Sequence, residues 1–276
     1  MKDLIVKLEH DKSHDQALSF AISVAETFNA HLAGVAYGNL AGLPDYGMAG
    51  VPGSVVAEIL AQSEQAARTA LARFHAVAGR NGISISDHLV LDTGFGAADT
   101  FASFARHYDL SILRQTDDEG PDNGLIIEAA LFNTGRPAII VPYIQSEGLK
   151  LDRVLCCWDG GAPAARAVND ALPFLKRAGT VEILNVTRSK DETPQREIRG
   201  MEIANHLARH DVQVEIETTS APDRSIADTI LSHAADKSAD LIVMGGYGHS
   251  RLREFVLGGV TRDILRSMTV PAFLSR

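Results

Sequence analysis

The residues whose types and spacing carry the most chemistry are five glycines. In LIVMGGYGHSRLREFVLGGVTRDIL (241–265) an apolar run ends at Met244, Gly245, Gly246 and Gly248 follow, and Gly258 and Gly259 come after nine further residues. Glycine permits positive φ and lets backbone N–H groups approach a ligand with no Cβ in the way. Gly259-Val260-Thr261 reads as the start of a helix, where the first N–H groups lack intrahelical partners and the dipole is positive. Together they describe an anion nest suited to phosphate groups. Thr261 and Ser250 can add hydroxyl donors. His249 is the one histidine beside the loop, set either to contact a phosphate or to face water, and Arg251 and Arg253 read first as solvent-facing. The pattern is neither GxGxxG nor a P-loop, because no lysine follows the second glycine pair. On glycine content alone a tight structural turn remains open.

Such a loop needs elements to hold it. CCWDGG (156–161) puts Asp159 just past the end of another apolar run. In doubly wound sheets ligands bind beyond the carboxyl ends of the strands, where the strand order reverses. If those two strands flank the reversal, Asp159 and Gly245 face one crevice. A carboxylate there can accept a ribose hydroxyl or help hold a metal with the phosphates; it can equally serve as a helix N-terminal charge. Val186, ending the run TVEILNV, can line an adenine slot, while Trp158, Cys156 and Cys157 read as core.

The elements recur. DLIV (3–6) and DRVL (152–155) each open a half; YDLSILRQ (108–115) matches ADLIVMGG (239–246), and GRPAIIVP (135–142) matches TVPAFLSR (269–276). The expected organisation is a first domain at 1–142, a linker at 143–151 and a second domain at 152–276. Each is read as a doubly wound, Rossmann-like sheet of five parallel strands, the two related by a pseudo-twofold. The apolar runs suit parallel strands covered on both faces. Helices are expected near 55–80, 162–177, 194–209, 223–236 and 259–267, with Pro173 kinking the second of these. The first half carries an extra Gly/Pro-rich stretch at 38–54, read as an exposed loop. This alignment sets His10 opposite Asp159, and TDDEGPDNG (116–124), acidic and without the glycine spacing, opposite the glycine loop.

Charge divides unevenly. Residues 1–148 hold 9 Lys/Arg against 18 Asp/Glu, whereas 149–276 hold 17 of each, so the net −9 lies wholly in the first half. An acidic surface argues against nucleic acid, and the neutral second half is the better host for a polyanion. No segment reaches the ~20 apolar residues of a membrane span. Two adjacent cysteines make a poor disulfide frame and fit a reducing compartment, so a cytoplasmic protein is expected.

On these residues the second half resembles a universal stress protein domain, and the chain as a whole resembles the family's tandem members. The family's nucleotide-binding branch shows Gly-x2-Gly-x9-Gly-Ser/Thr; here Gly245-x2-Gly248-x9-Gly258 is followed by Gly259 in the Ser/Thr place. Its aspartate after the first strand matches Asp159 and its adenine-contacting position matches Val186. The resemblance implies an adenine nucleotide, ATP or else ADP or AMP, with Mg as an accompanying ion. It also implies a degenerate first half that serves as a built-in dimer partner. Unidentified protein partners, and a homodimer through edge strands, complete the expectation. No nucleophile–base pair is visible. Three functions follow: a nucleotide-binding stress-response protein, a nucleotide-free scaffold acting by protein contacts, and a slow ATPase.

Overall fold

The structure, a computed structural model, describes residues 1–10, 15–38, 52–91, 96–116, 123–187, 193–221, 223–246 and 259–276. The chain divides into two compact units, Met1–Arg136 with Ser146–Gly148, and Pro137–Gln145 with Leu149–Arg276.

In the first unit β1 (Asp3–Lys7), β2 (His31–Tyr37), β3 (Ile85–Val90) and β4 (Leu110–Arg114) lie in the order β3-β2-β1-β4, all parallel. Both neighbours of β1 run parallel to it, so the order reverses between β1 and β4. Leu4, Ile5 and Val6 are fully buried, as a central strand covered on both faces must be. Helices α1 (Gln16–Phe28), α2 (Gly53–Arg80), α3 (Ala97–Ala105) and α4 (Gly124–Asn133) make the crossovers. Asp15 caps α1, its carboxylate accepting from Leu18 N at 3.0 Å, and Asn29 in the left-handed region ends it.

The second unit contains β5 (Ala138–Val141), β6 (Arg153–Cys157), β7 (Thr180–Thr187), β8 (Val214–Ser220), β9 (Leu241–Gly245) and β10 (Ala272–Ser275), in the order β5-β10-β9-β6-β7-β8. Its helices are α5 (Ala162–Asp170), α6 (Leu172–Leu175), α7 (Thr193–Ala208), α8 (Ile226–Asp236) and α9 (Gly259–Ser267). β6 and β9 are parallel neighbours, and the order reverses between them. The expected kink at Pro173 is a full break, since Ala171 separates α5 from α6 and proline has no N–H to carry the helix through.

Two features depart from the expected all-parallel, all-apolar sheets. β5 runs antiparallel to β10, with Ile140 opposite Ala272. Both strands are short, and all their residues are buried, so each covers an edge of the other. The outermost strands β3 and β8 are not apolar runs: β8 exposes Glu215, Ile216 and Glu217 because no strand lies beyond it.

One hydrogen-bond device occurs in both units. Asp109 donates its N–H to Asp3 O, and its carboxylate accepts from the N–H groups of Lys2 (2.7 Å) and Asp3 (3.2 Å). Asp240 donates its N–H to Arg153 O and accepts from Arg153 N at 2.9 Å. Each aspartate thus ties the start of the fourth strand to the first. Burial works against the Asp109 charge, but the two N–H donors, the amino terminus and Arg136 outweigh it and hold the carboxyl below its usual range.

Candidate functional site

The register of β6 against β9 pairs Cys156 with Val243, so the residues just after both strands emerge side by side at the carboxyl end of the sheet. Asp159 and Gly246 leave from there. α9 joins the parallel neighbours β9 and β10, so it runs back from carboxyl to amino end and its head, Gly259, starts on the carboxyl side. Nearly all of this is set by sequence: the apolar strands fix depth, and glycine or a short polar residue ends each.

Asp159 is exposed, and its Oδ1 accepts from Gly161 N at 2.7 Å, holding the lead-in to α5. A Cβ at Gly245 would lie 2.5 Å from Ala164 N and 2.6 Å from the Pro163 carbonyl carbon. Gly245 therefore lets β9 end directly against the first turn of α5, a packing reason that sequence reading had not separated from ligand approach. Gly246 donates its N–H to Ser275 O at 2.7 Å, so that donor is committed to the protein. Met244 is buried in the strand, which makes it a wall of the core. Val186 is half-buried at the end of β7, in register with Thr219. At the head of α9, Gly259 is exposed with nothing within 4 Å of a Cβ built on it, Val260 is half-buried and Thr261 is buried. Gly248, His249 and Gly258, with Ser250, Arg251 and Arg253, lie outside the described residues.

Further polar groups near these strand ends are buried without a partner among the described residues. Trp158, expected as plain core, is half-buried, and its indole N–H is buried with no acceptor. Beside Val186, Asn185 and Thr187 are buried on β7 with the Asn185 amide and the Thr187 hydroxyl unpartnered. Such groups cost free energy unless water or a ligand satisfies them; alternation along β7 puts them on the face opposite Val186. No sequence signal marks them, since burial of a polar residue is a tertiary fact. Burial, then the Asp159 carboxylate, pushes the Cys157 thiol up to about 12, and burial raises Cys156 as well, so neither is a ready nucleophile. Among the described residues no group of three or more His, Cys, Asp or Glu could hold a metal ion, and no helix is long and apolar enough to cross a membrane.

The register also corrects the repeat alignment. Leu4 pairs with Leu110 across β1 and β4, and Val154 with Leu241 across β6 and β9. Since Leu110 matches Leu241, Leu4 matches Val154, and Glu9, not His10, stands opposite Asp159. DLIV and DRVL look alike in letters, but the sheet aligns them one residue apart.

Comparison with known proteins gives a family match for the second half of the chain. The model described as the universal stress protein family matches residues 150–276. A universal stress protein of Synechocystis, Slr1230, is 25% identical over 157 residues, 55% of this chain and 51% of its own, so the match spans about half the length of that relative. The crystal structure of a universal stress protein from Archaeoglobus fulgidus superposes over 99% of this chain and 98% of its own with a TM-score of 0.73 at 16% identity. A Pseudomonas aeruginosa protein described as functionally unknown, PA1789, covers 99% and 92% with a TM-score of 0.63, also at 16% identity. At that identity the two structures speak for the fold alone.

Proposed function

We propose, from the premise that residues 150–276 are a universal stress protein domain, that this domain binds one adenine nucleotide per chain and that nucleotide state sets the protein's choice of partner. The observation that carries the reading is the meeting of Asp159 and Gly245-Gly246 at the carboxyl ends of β6 and β9, where the strand order reverses. The phosphates would lie at the head of α9, with the N–H groups of Gly259, Val260 and Thr261 as donors and Gly248, His249 and Gly258 on the loop before it. Val186 would border the base. Asp159 would take a ribose hydroxyl, or a magnesium ion together with the phosphates. Gly246 contributes space and no N–H, because its donor is already used.

The donor set suits a nucleoside polyphosphate: neutral backbone N–H groups, a helix head and one nearby carboxylate. No nucleophile–base pair is visible in the sequence, and His249 is the one histidine beside the loop, so we favour binding over turnover. We read the protein as acting in the cytoplasm, on its two free cysteines. The test is mass analysis of small molecules released from the freshly purified chain, repeated on Gly258→Val. The reading expects adenine nucleotide from the parent and none from the folded variant. A parent that carries none, and binds none at millimolar ATP with magnesium, would leave the protein-contact scaffold as the function.

A further inference from the structure

With the alignment set by strand registers and helix starts, four residues of the candidate site have counterparts in the first unit. Glu9 stands for Asp159 and Arg114 for Gly245, each ending the matching stretch. Tyr37 stands for Val186, because Lys7 pairs with Val35 as Cys157 pairs with Leu184. Asn123 stands for Gly258, since α4 begins at Gly124 as α9 begins at Gly259. At all four positions the first unit carries the larger side chain, and all four residues are buried, between 1% and 3% exposed.

They also close on one another. Asn123 Nδ2 donates to Glu9 Oε1 at 3.2 Å and to the carbonyl of Arg114 at 3.2 Å. Lys7 Nζ donates to the same Glu9 oxygen at 2.9 Å. Glu9 is held from behind, its N–H donating to Asp15 Oδ2 at 3.0 Å and its carbonyl accepting from Arg73 Nη2. Tyr37 is fixed by its hydroxyl, which donates to Ala97 O at 3.1 Å. A carboxylate thus sits beside the N-cap of the ten-residue helix α4, with a lysine and an amide donating to it. A bound anion beside this helix head would be held by the same two side-chain donors.

We propose that the first unit retains an anion site at the carboxyl end of its sheet and fills it with its own Glu9 carboxylate, so that it takes no external ligand there. A buried carboxylate is costly unless it is paired; Lys7 and Asn123 pair Glu9 Oε1, while Oε2 is buried with no hydrogen-bond partner among the described residues. The consequence for the chain is asymmetry: one unit is permanently occupied from within, and a response to any small anion falls to the other. The inference stands apart from the nucleotide reading, since all of its residues belong to the first unit.

Chemical rescue tests it. Glu9→Ala in the full chain removes the internal anion and leaves a space of carboxylate size beside Lys7 and Asn123. Thermal melts followed by circular dichroism are recorded in sodium formate and in sodium chloride at equal ionic strength, without nucleotide. Glu9→Ala is expected to melt lower than the parent, and formate is expected to raise its melting temperature at least about threefold more than it raises the parent's, by binding the folded state. If Glu9→Ala is unfolded in chloride, recovery of the folded signal in formate is the same result. Glu9→Gln, which keeps the volume and loses the charge, is expected to be less stable than the parent and to gain nothing specific from formate. Equal formate shifts in parent and Glu9→Ala, failure of formate to refold an unfolded Glu9→Ala, or a Glu9→Gln as stable as the parent would each overturn the proposal.

Discussion

Gly245 shows how one residue can satisfy two demands. Its missing side chain was expected to admit a phosphate, and it also admits the first turn of α5, with backbone atoms 2.5 and 2.6 Å from where a Cβ would lie. Backbone cannot rotate away as a side chain can, so Gly245→Ala is expected to cost about 1–3 kcal/mol whether or not nucleotide is present. Urea unfolding of the nucleotide-free protein checks this, and an unchanged midpoint would contradict it. The cysteines give a second residue-scale prediction. With Cys157 pushed up to about 12 and Cys156 raised further, Ellman's reagent at pH 8 is expected to label neither thiol in the native chain and both in urea. Asp109 gives a third, with a sign. Its folded value is lowered, so its contribution is present above the unfolded value of roughly 4 and is lost as pH falls through the folded value. Asp109→Asn should therefore be destabilised at neutral pH and converge on the parent in acid. At this scale the glycine spacing and Asp159 were legible in the letters, because they break runs. Glu9 was not, since DLIV against DRVL hides a one-residue slip that only strand pairing reveals.

Among the elements, what was legible followed from periodicity and punctuation. The apolar runs of β1, β4, β6 and β9 announced central strands, and Pro173 announced a kink where the structure breaks the helix into α5 and α6. The direction of β5 was not announced, because AIIV is equally apolar read either way and pairs with β10 through backbone groups alone. β8 likewise gave no hint in its letters of how far it would be exposed; an outermost position decides that. The head of α9 is the element on which the proposed binding turns. Gly259 stands where a family member of the nucleotide-binding branch would carry Ser or Thr, and a Cβ there meets nothing within 4 Å. Gly259→Ser is accordingly expected to fold as the parent does and to tighten ATP binding by about 0.5–1.5 kcal/mol, one hydrogen bond's worth. Weaker binding by the folded variant, measured by titration calorimetry, would show that the phosphates do not meet this turn.

At the scale of the whole molecule the two units share a strand order and differ in charge and in what occupies the carboxyl end of the sheet. The first unit and its adjoining residues carry all of the net −9, and buried Glu9, Tyr37, Arg114 and Asn123 stand where the second unit has Asp159, Val186, Gly245 and Gly258. The outermost strands bear Asp87, Glu215 and Glu217, charges that oppose edge-to-edge association of chains. Isothermal titration of the full chain with ATP and magnesium tests the central claim most directly. The expected result is saturation at one nucleotide per chain, unchanged in Asn123→Val and abolished in a folded Gly258→Val. Two equivalent sites, or heat that persists undiminished in Gly258→Val, would contradict it.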